Sequence, residues 1–340
     1  MHYLPLLSAI VSLLLITFAM LWWRTKTNKT SKTEINKTKL DKHQFFSHPR
    51  DKAISFDART HTYTVNGEKM QTSVTGLIDE YFYGFPANSI VKKMLESKDF
   101  PHKPIHQKYH IMPIWAEVID DAKMPIDAWK PGAVLRDQAE AESVIKKSWS
   151  APGLKAAKEG TKLHKQIEDY IKYDKMPEMT KEFEMFLTYH NNMLSKGYIP
   201  YSSEQKVYDV DLQLAGCVDM LYVKDNEIYL VDWKRSKQVL FKHPDDTKRK
   251  KKGKNLLKTY DDCNGVHFTF QLNIYKELLE MHYGSKVVTM EVVVFHPDND
   301  SYLSYNIENK KEVVQTMFEE RRAKARGSER SEERRAKLDS

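Results

Sequence analysis

The 340-residue sequence predicts an α/β fold, an α/β/α sandwich in which a mixed central sheet lies between helices. Two short apolar runs, 214–223 and 228–231, are joined by Asp225-Asn226, which is typical of neighbouring strands in a hairpin. A third run, 287–295, is rich in β-branched residues and predicts a further strand. Helical patterns at 160–171 and 271–275 lie before and after the hairpin, so we expect them to cover the sheet.

The first element in chain order is a predicted transmembrane anchor at residues 4–23. This stretch carries no charged residue, is long enough to cross a bilayer as a helix, and ends in Trp22-Trp23, as is common at a membrane interface. A cleaved signal peptide is disfavoured, because the stretch has no charged n-region and no small-x-small cleavage site. A mitochondrial targeting segment is a further alternative, which the long uncharged run disfavours.

The charges around this segment predict its orientation. No Lys or Arg precedes it, whereas lysines recur through residues 24–50, so the positive-inside rule places the rest of a single-pass protein on the cytoplasmic side. Sequons at Asn28 and Asn36 would favour the opposite side if they were glycosylated. Residues 24–50 have no apolar periodicity and are predicted to be a flexible basic linker.

The folded part is predicted to begin with residues 51–159. Phe56, Tyr63 and Val65 lie close to Asn66-Gly67, a dipeptide typical of a tight hairpin, and residues 75–150 are expected to be mainly helical. The core is expected at 160–325, with a terminal helix at 309–326. The charged tail, 326–340, has no apolar face and is therefore predicted to be disordered.

The predicted hairpin brings two carboxylates together. Asp219 and Asp232 each lie in an apolar strand, and paired carboxylates repel each other unless a cation compensates them. Oxygen ligands suit Mg²⁺ or Mn²⁺, as one or two ions. Lys234 projects to the same face as Asp232, where it can position a water or neutralise developing charge. The alternative is an ordinary ion pair at a strand end.

Further candidates flank the hairpin. His164 and Glu168 lie one helical turn apart, so both can face a cation, although His164 can also be a core histidine. Glu204 is either another ligand or a solvated edge charge at the start of a predicted strand, 204–210. Gln271 and Tyr275 share one face of a later helix, where the alternative is packing against the sheet.

Taken in order, these residues resemble the PD-(D/E)xK nuclease superfamily and within it the RecB-like exonuclease branch, which includes the mitochondrial genome maintenance exonuclease and Cas4-type nucleases. The pattern of that branch is Gly-x-x-x-His-x-x-x-Glu, Gly-x-x-Asp, (Asp/Glu)-x-Lys and Gln-x-x-x-Tyr, and the chain matches all four at 160–168, 216–219, 232–234 and 271–275. The Pro-Asp pair of the superfamily's name is absent. Cys217 and Cys263 are the only cysteines, whereas Cas4 proteins commonly carry four that bind an iron–sulfur cluster.

This resemblance implies a restriction-endonuclease-like fold and a Mg²⁺- or Mn²⁺-dependent deoxyribonuclease. The expected activity is that of an exonuclease on single-stranded or end-bearing DNA in replication, recombination or repair. The resemblance also implies a role for each motif residue: His164, Asp219, Asp232 and the carbonyl of Trp233 as metal ligands, Lys234 as the catalytic lysine, and Glu168, Gln271 and Tyr275 as residues that orient the site and contact nucleic acid.

A basic segment, Lys248-Arg249-Lys250-Lys251-Lys252, lies between the strand of Asp232 and the helix of Gln271. It predicts contacts with DNA phosphates, and the alternatives are a solvated loop or a nuclear-localisation-like address. The formal charge of +7 and pI near 9.0 also favour an anionic partner.

Two other functions remain open from the sequence. One is a membrane-tethered nucleic-acid-binding protein with an inactive nuclease fold, and the other is a structure- or site-specific endonuclease. The two differ in whether they cut DNA at all, and the second should cut closed circles.

Overall fold

The structure, a computed structural model, describes residues 48–97, 100, 106, 108–113, 134–244 and 251–338. For 112–113, 134–136 and 325–338 it describes the backbone alone. The predicted transmembrane segment, 4–23, and most of the predicted linker lie outside these ranges. Within them, no helix combines the length and the apolar character needed to cross a membrane.

Strands and helices alternate along the described chain. The strands are β1 (Ile54–Asp57), β2 (Thr62–Val65), β3 (Glu68–Lys69), β4 (Thr72–Ser73), β5 (Ile111–Pro113), β6 (Val134–Arg136), β7 (Ile199–Asp209), β8 (Leu214–Lys224), β9 (Glu227–Lys234), β10 (Val287–Val294) and β11 (Leu303–Asn306). The helices are α1 (Val74–Asp79), α2 (Ala87–Leu95), α3 (Gln138–Tyr173), α4 (Lys181–Ser195), α5 (Asn264–His282) and α6 (Lys311–Leu338).

The central sheet has six strands in the order β11-β10-β9-β8-β4, and β7 pairs with β8 as well. Strands β9 and β10 are parallel, as are β4 and β8, whereas β7/β8, β8/β9 and β10/β11 are antiparallel. The predicted α/β class and mixed sheet are therefore confirmed. The predicted hairpin of β8 and β9 lies in the middle of the sheet, as the sequence indicates.

Both predicted hairpin turns use residues with positive φ. Asp225 and Asn226 have φ of 52° and 61°, and Asn66 and Gly67 have φ of 51° and 87°. Two successive residues with positive φ are characteristic of a type I′ turn, whose twist matches that of the strands it joins. Asn, Asp and Gly adopt this conformation at low cost, which is why these dipeptides locate the turns in the sequence.

Helices pack on both faces of the sheet. Successive strand residues belong to different apolar clusters: Leu230 packs with residues of α1, α5 and α6, and Val231 with residues of α3 and α4. Val292 and Val293 divide between the two clusters in the same way. Burial on both faces explains why β9 and β10 are continuous apolar runs in the sequence, without a polar alternation.

Two sequence predictions differ from the structure. The predicted division at 159/160 falls inside α3, which runs without interruption from Gln138 to Tyr173, so it marks no boundary. The tail predicted to be disordered from Arg326 continues as helix α6 to Leu338. Its Glu, Arg, Lys and Ala residues are strong helix formers, and their backbone preference does not require the apolar face on which the prediction relied.

Candidate metal centre

The site lies where β8 and β9 separate. Their ladder extends from Lys224–Glu227 to Met220–Val231, and at its other end β8 pairs with β4 through Leu214 and Ala215. Asp219 and Asp232 follow directly on the last pair of the β8/β9 ladder. Beyond it, the Trp233 N–H donates to the side chain of Asp219, with 2.7 Å between nitrogen and Oδ2. The Asp219 carboxylate thus accepts the hydrogen bond that a main-chain carbonyl would accept in a regular ladder. This bond fixes the carboxylate at the gap between β8 and β9.

His164 reaches this gap from α3. Its Nδ1 lies 3.4 Å from Oδ1 of Asp219 and 3.7 Å from Oε1 of Glu204. Its Nε2 lies 3.0 Å from the Trp233 carbonyl, and because a carbonyl only accepts, Nε2 carries the hydrogen. This contact fixes the tautomer and turns Nδ1 towards the carboxylates, as second partners of metal-binding histidines commonly do.

The charges of these groups are strongly coupled. Burial by itself would lower the pKa of His164, but the charges and hydrogen bonds of Asp219 and Glu204 hold it well above its usual range. Burial would raise the pKa of Asp219, and His164, Lys234 and the Trp233 N–H lower it instead. These opposite shifts of the two pKa values show that the carboxylates favour a positive charge at the position of the imidazole.

Glu204 belongs to this group and is not a solvated edge charge, while its role as a ligand stays a prediction. It lies in the middle of β7, between the pairs Ser203–Met220 and Gln205–Val218, and has a φ of 52°. This left-handed conformation costs a residue with a side chain on the order of 1 kcal/mol or more and is often found at functional sites. The Cys217 thiol donates to Oε2 of Glu204 at 3.2 Å and orients the carboxylate. Neither Cys217 nor this role was predicted from the sequence.

The three side chains have the composition of a cation site. One ligand atom from each of His164, Glu204 and Asp219 lies within 4.8 Å of the other two. With Asp232, three carboxylates face one histidine and one lysine, so negative charge exceeds positive charge when the imidazole is neutral. Carboxylate oxygens and an imidazole nitrogen together form a donor set that could hold a metal ion.

Asp232 and Lys234 form a buried pair beside this group. Asp232 is 1% exposed, and neither of its oxygens has a hydrogen bond of good geometry, although the Lys234 ammonium lies 2.5 Å from Oδ2. Burial raises the pKa of Asp232 to about 7, an effect that Lys234 opposes and Asp219 reinforces. Burial would lower the pKa of Lys234, but Asp232 and Asp219 raise it above its usual value. An incompletely satisfied buried carboxylate indicates room for a further positive partner.

The aromatic face of Phe268 completes the surroundings of Lys234. Its ring centroid lies 4.8 Å from the ammonium nitrogen, which is within the range of a cation–π contact. The sequence analysis did not identify Phe268. It lies on α5 close to Gln271, so a helical projection from the predicted motif would have placed it near the same end of the helix.

Tyr275 and Gln271 support the strand. Tyr275 is 3% exposed, and the Gln271 amide donates to its hydroxyl at 3.2 Å. A Cβ at Gly216 would lie 2.6 Å from Cε1 of Tyr275 and 2.8 Å from Cγ2 of Val74, so only glycine lets this ring lie directly on the strand. The Tyr275 ring thus packs against the strand and has almost no accessible surface, and its contact with nucleic acid stays a prediction.

Gly216→Ala should destabilise the protein by about 1–3 kcal/mol, because an added methyl group overpacks this contact. Gly153→Ala is a matched control in helix α3, where a Cβ would meet nothing within 4 Å. It should stabilise by about 0.5–1 kcal/mol through the helix preference of alanine. Chemical denaturation of both variants measures the difference. Equal stability of the two would show that the Gly216 contact is not as tight as the structure indicates.

The remaining predicted residues lie elsewhere or outside the described ranges. The carboxylate of Glu168 binds Lys172 at 2.8 Å and Lys165 at 3.1 Å, and it does not belong to the His164 group. Each lysine pairs with a different oxygen of this carboxylate. Lys252 pairs with Asp261 at 2.5 Å, and Lys251 is exposed. Lys248, Arg249 and Lys250 lie outside the described residues. The Trp233 carbonyl accepts a hydrogen bond from His164, and its role as a metal ligand stays a prediction.

Comparisons with known proteins identify no family for this chain. No protein-family profile and no curated protein matches it. Among solved structures, one similar chain is described as the crystal structure of SSO0001, with 12% sequence identity and a TM-score of 0.21. The match covers 42% of this chain and 57% of that one, and similarity at this level supports no conclusion about fold or function.

Proposed function

We propose that this protein is a metal-dependent nuclease that hydrolyses phosphodiester bonds of DNA, as an exonuclease on single-stranded or end-bearing DNA. One observation carries the proposal: His164, Glu204 and Asp219 converge beside the buried Asp232–Lys234 pair where two central strands separate. The ordered motifs that resemble RecB-like members of the PD-(D/E)xK superfamily support the same activity and a restriction-endonuclease-like fold. Attachment to a membrane through residues 4–23, with this domain on the cytoplasmic side, is part of the proposal.

The donor set fits one or two Mg²⁺ or Mn²⁺ ions, held by His164, Glu204 and Asp219, with Asp232 beside them. A bound divalent cation would polarise a phosphoryl oxygen and make a water more acidic. The Lys234 ammonium is a cationic donor in a largely buried site, where it can hold the attacking water or offset charge that develops on the phosphate. Asp232 positions that ammonium, and the Trp233 backbone positions both Asp219 and His164.

A substrate panel tests this function. The purified protein is incubated with Mn²⁺ or Mg²⁺ and with a labelled single strand, a linear duplex or a closed circle. We expect mononucleotides or short products from the single strand and from the duplex ends, and an intact circle. Nicking or linearisation of the circle would identify an endonuclease. Absence of cleavage on all three substrates, together with retained DNA binding, would identify a binding protein with an inactive fold.

His164→Ala should raise the Mn²⁺ concentration needed for half-maximal activity by roughly 10–100-fold, a loss typical of a weakened metal site. Excess Mn²⁺ should then restore part of the rate. His282→Ala is the matched control, because His282 also pairs with a buried aspartate, Asp209, at 2.8 Å but lies outside the candidate site. A loss of activity that is equal at every metal concentration would contradict a ligand role for His164.

A further inference from the structure

The proposed nuclease site leaves one surface of the molecule unexplained. Large aromatic side chains lie in solvent there: Tyr83 is 64% exposed and Phe85 is 60% exposed. Such exposure is costly, and clustered exposed aromatics commonly mark a binding site. We call Tyr83, Phe85, Lys251 and Lys254 the aromatic–lysine surface.

The structure places the lysines against the aromatic rings. The Lys254 ammonium lies 5.5 Å from the ring centroid of Tyr83, and that of Lys251 lies 5.9 Å from the ring of Phe85. The two segments are fixed to each other, because the backbone N–H of Lys254 donates to the Tyr81 carbonyl at 2.8 Å. Positive charge therefore accompanies each exposed ring.

Phe85 also packs against Trp149 of α3. Its ring packs edge-on against Trp149 with 5.6 Å between centroids, and the Trp149 indole N–H donates to the Tyr109 hydroxyl at 2.7 Å. The Phe85 ring is thus supported at one side while most of its surface stays open. A supported but exposed ring can stack on a flat ligand with little loss of side-chain entropy.

The chain segment next to this surface is joined to the start of α5 through a stacking contact between two rings. Phe82, next to Tyr83, stacks on His267 with 4.1 Å between ring centroids and an interplanar angle of 27°. The residue after His267 is Phe268, whose ring faces the Lys234 ammonium. The segment that carries Tyr83 and Phe85 is therefore packed against the same helix that contributes Phe268 to the proposed active site.

Nearby acidic groups do not cancel the positive charge. Asp261 pairs with Lys252 at 2.5 Å, and Asp262 lies 2.9 Å from Nε2 of His267. Lys248, Arg249 and Lys250 precede Lys251 in the sequence and add positive charge to the same segment. The partner of this surface should accordingly be an anion that also offers flat apolar faces.

We infer that the aromatic–lysine surface binds a single-stranded nucleic acid and leads it to the active site. The second half of this inference, delivery to the active site, rests on the proposed nuclease function. Unpaired bases expose the faces that stack on Tyr83 and Phe85, whereas a duplex hides them inside its own stack. The phosphates between the bases meet Lys251 and Lys254. Stacking tolerates any base, so the recognition is independent of sequence.

Fluorescence anisotropy tests this inference with full-length protein, a labelled oligothymidylate and a blunt duplex of equal length, in EDTA to prevent cleavage. Tyr83→Ala and Phe85→Ala should each weaken single-strand binding about 10-fold. Lys251→Ala should reduce the slope of log K against log salt by about 0.7, the loss of one phosphate contact, whereas Tyr83→Ala should leave that slope unchanged. Tyr173→Ala is the matched control, because Tyr173 is equally exposed, at 63%, but lies at the end of α3.

Wild-type affinity in both aromatic variants would overturn the inference, and so would equal affinity of the wild type for duplex and single strand. Binding in EDTA is read independently of cleavage. A protein that cuts no DNA but loses single-strand binding in Tyr83→Ala would refute the nuclease function and retain the surface. A protein that cuts DNA but binds single strands equally well after both aromatic substitutions would refute the role of the surface and retain the nuclease function.

Discussion

Asp219→Asn should lower kcat/KM for DNA cleavage by roughly 10³-fold, the equivalent of several kcal/mol of transition-state stabilisation. Asparagine has nearly the same shape, and its amide oxygen can still accept the hydrogen bond that the Trp233 N–H gives to Asp219. The substitution removes the negative charge that lies 3.4 Å from His164 Nδ1 and one of the three clustered ligand atoms. Initial rates on labelled linear DNA, measured over a range of Mn²⁺ concentrations, give the loss.

Asp209→Asn is a control for this prediction because the two aspartates have similar surroundings. Asp209 is also buried, accepts a backbone N–H from Leu212 at 2.8 Å and contacts His282 at 2.8 Å, but it lies outside the cation group. We expect it to retain cleavage, and thermal unfolding of both variants separates lost activity from lost folding. An Asp219→Asn rate within about tenfold of the wild-type rate would refute the metal-centre assignment.

The sequence predicts the central part of the site because local signals determine it. Asp225-Asn226 fixes the turn, and once the turn is fixed, antiparallel pairing brings Asp219 and Asp232 to the same level of β8 and β9. Lys234 then lies next to Asp232 through the alternation of side chains along a strand. Each of these steps needs only the residues of one hairpin.

Other parts of the site depend on contacts between distant segments, which no local pattern specifies. The sequence left open whether Glu204 is a ligand or a solvated edge charge, because the left-handed conformation that directs its carboxylate towards Asp219 is one that a glutamate rarely takes. The role of Cys217 depends on the position of Glu204 and was not predicted. Glu168 lies one helical turn from His164 as expected, and its carboxylate pairs with Lys165 and Lys172, contacts that the comparison with His164 alone did not predict.

The left-handed Glu204 also shows how the site is built. Val218 packs with the apolar cluster on one face of the sheet and Met220 with the cluster on the other, although residues two apart in a regular strand share a face. The alternation of β8 therefore changes at Asp219, directly beside the irregular part of β7. Both strands depart from regular geometry where the carboxylates meet. This arrangement concentrates negative charge in a buried region, where cations and hydrogen-bond donors must offset it.

Lys234→Met should lower kcat by roughly 10²–10³-fold, the effect of removing one charged donor from a preorganised site. It should also destabilise the metal-free protein by about 3–5 kcal/mol, because it leaves the buried carboxylate of Asp232 without its cation. Methionine has a similar length and keeps the apolar contact with Phe268. Single-turnover rates and denaturant unfolding in EDTA measure the two effects separately.

The double variant Asp232→Asn/Lys234→Met separates catalysis from stability. Removing both charges should recover most of the lost stability, because no unpaired buried charge remains, while activity stays low. Lys276→Met is the matched control, since Lys276 is also buried, pairs with Glu280 and donates to the Val287 carbonyl at 2.7 Å, away from the site. We expect Lys276→Met to lose stability and keep its turnover. Recovery of cleavage in the double variant would refute a catalytic role for Lys234. Its function would then be to neutralise the charge of Asp232.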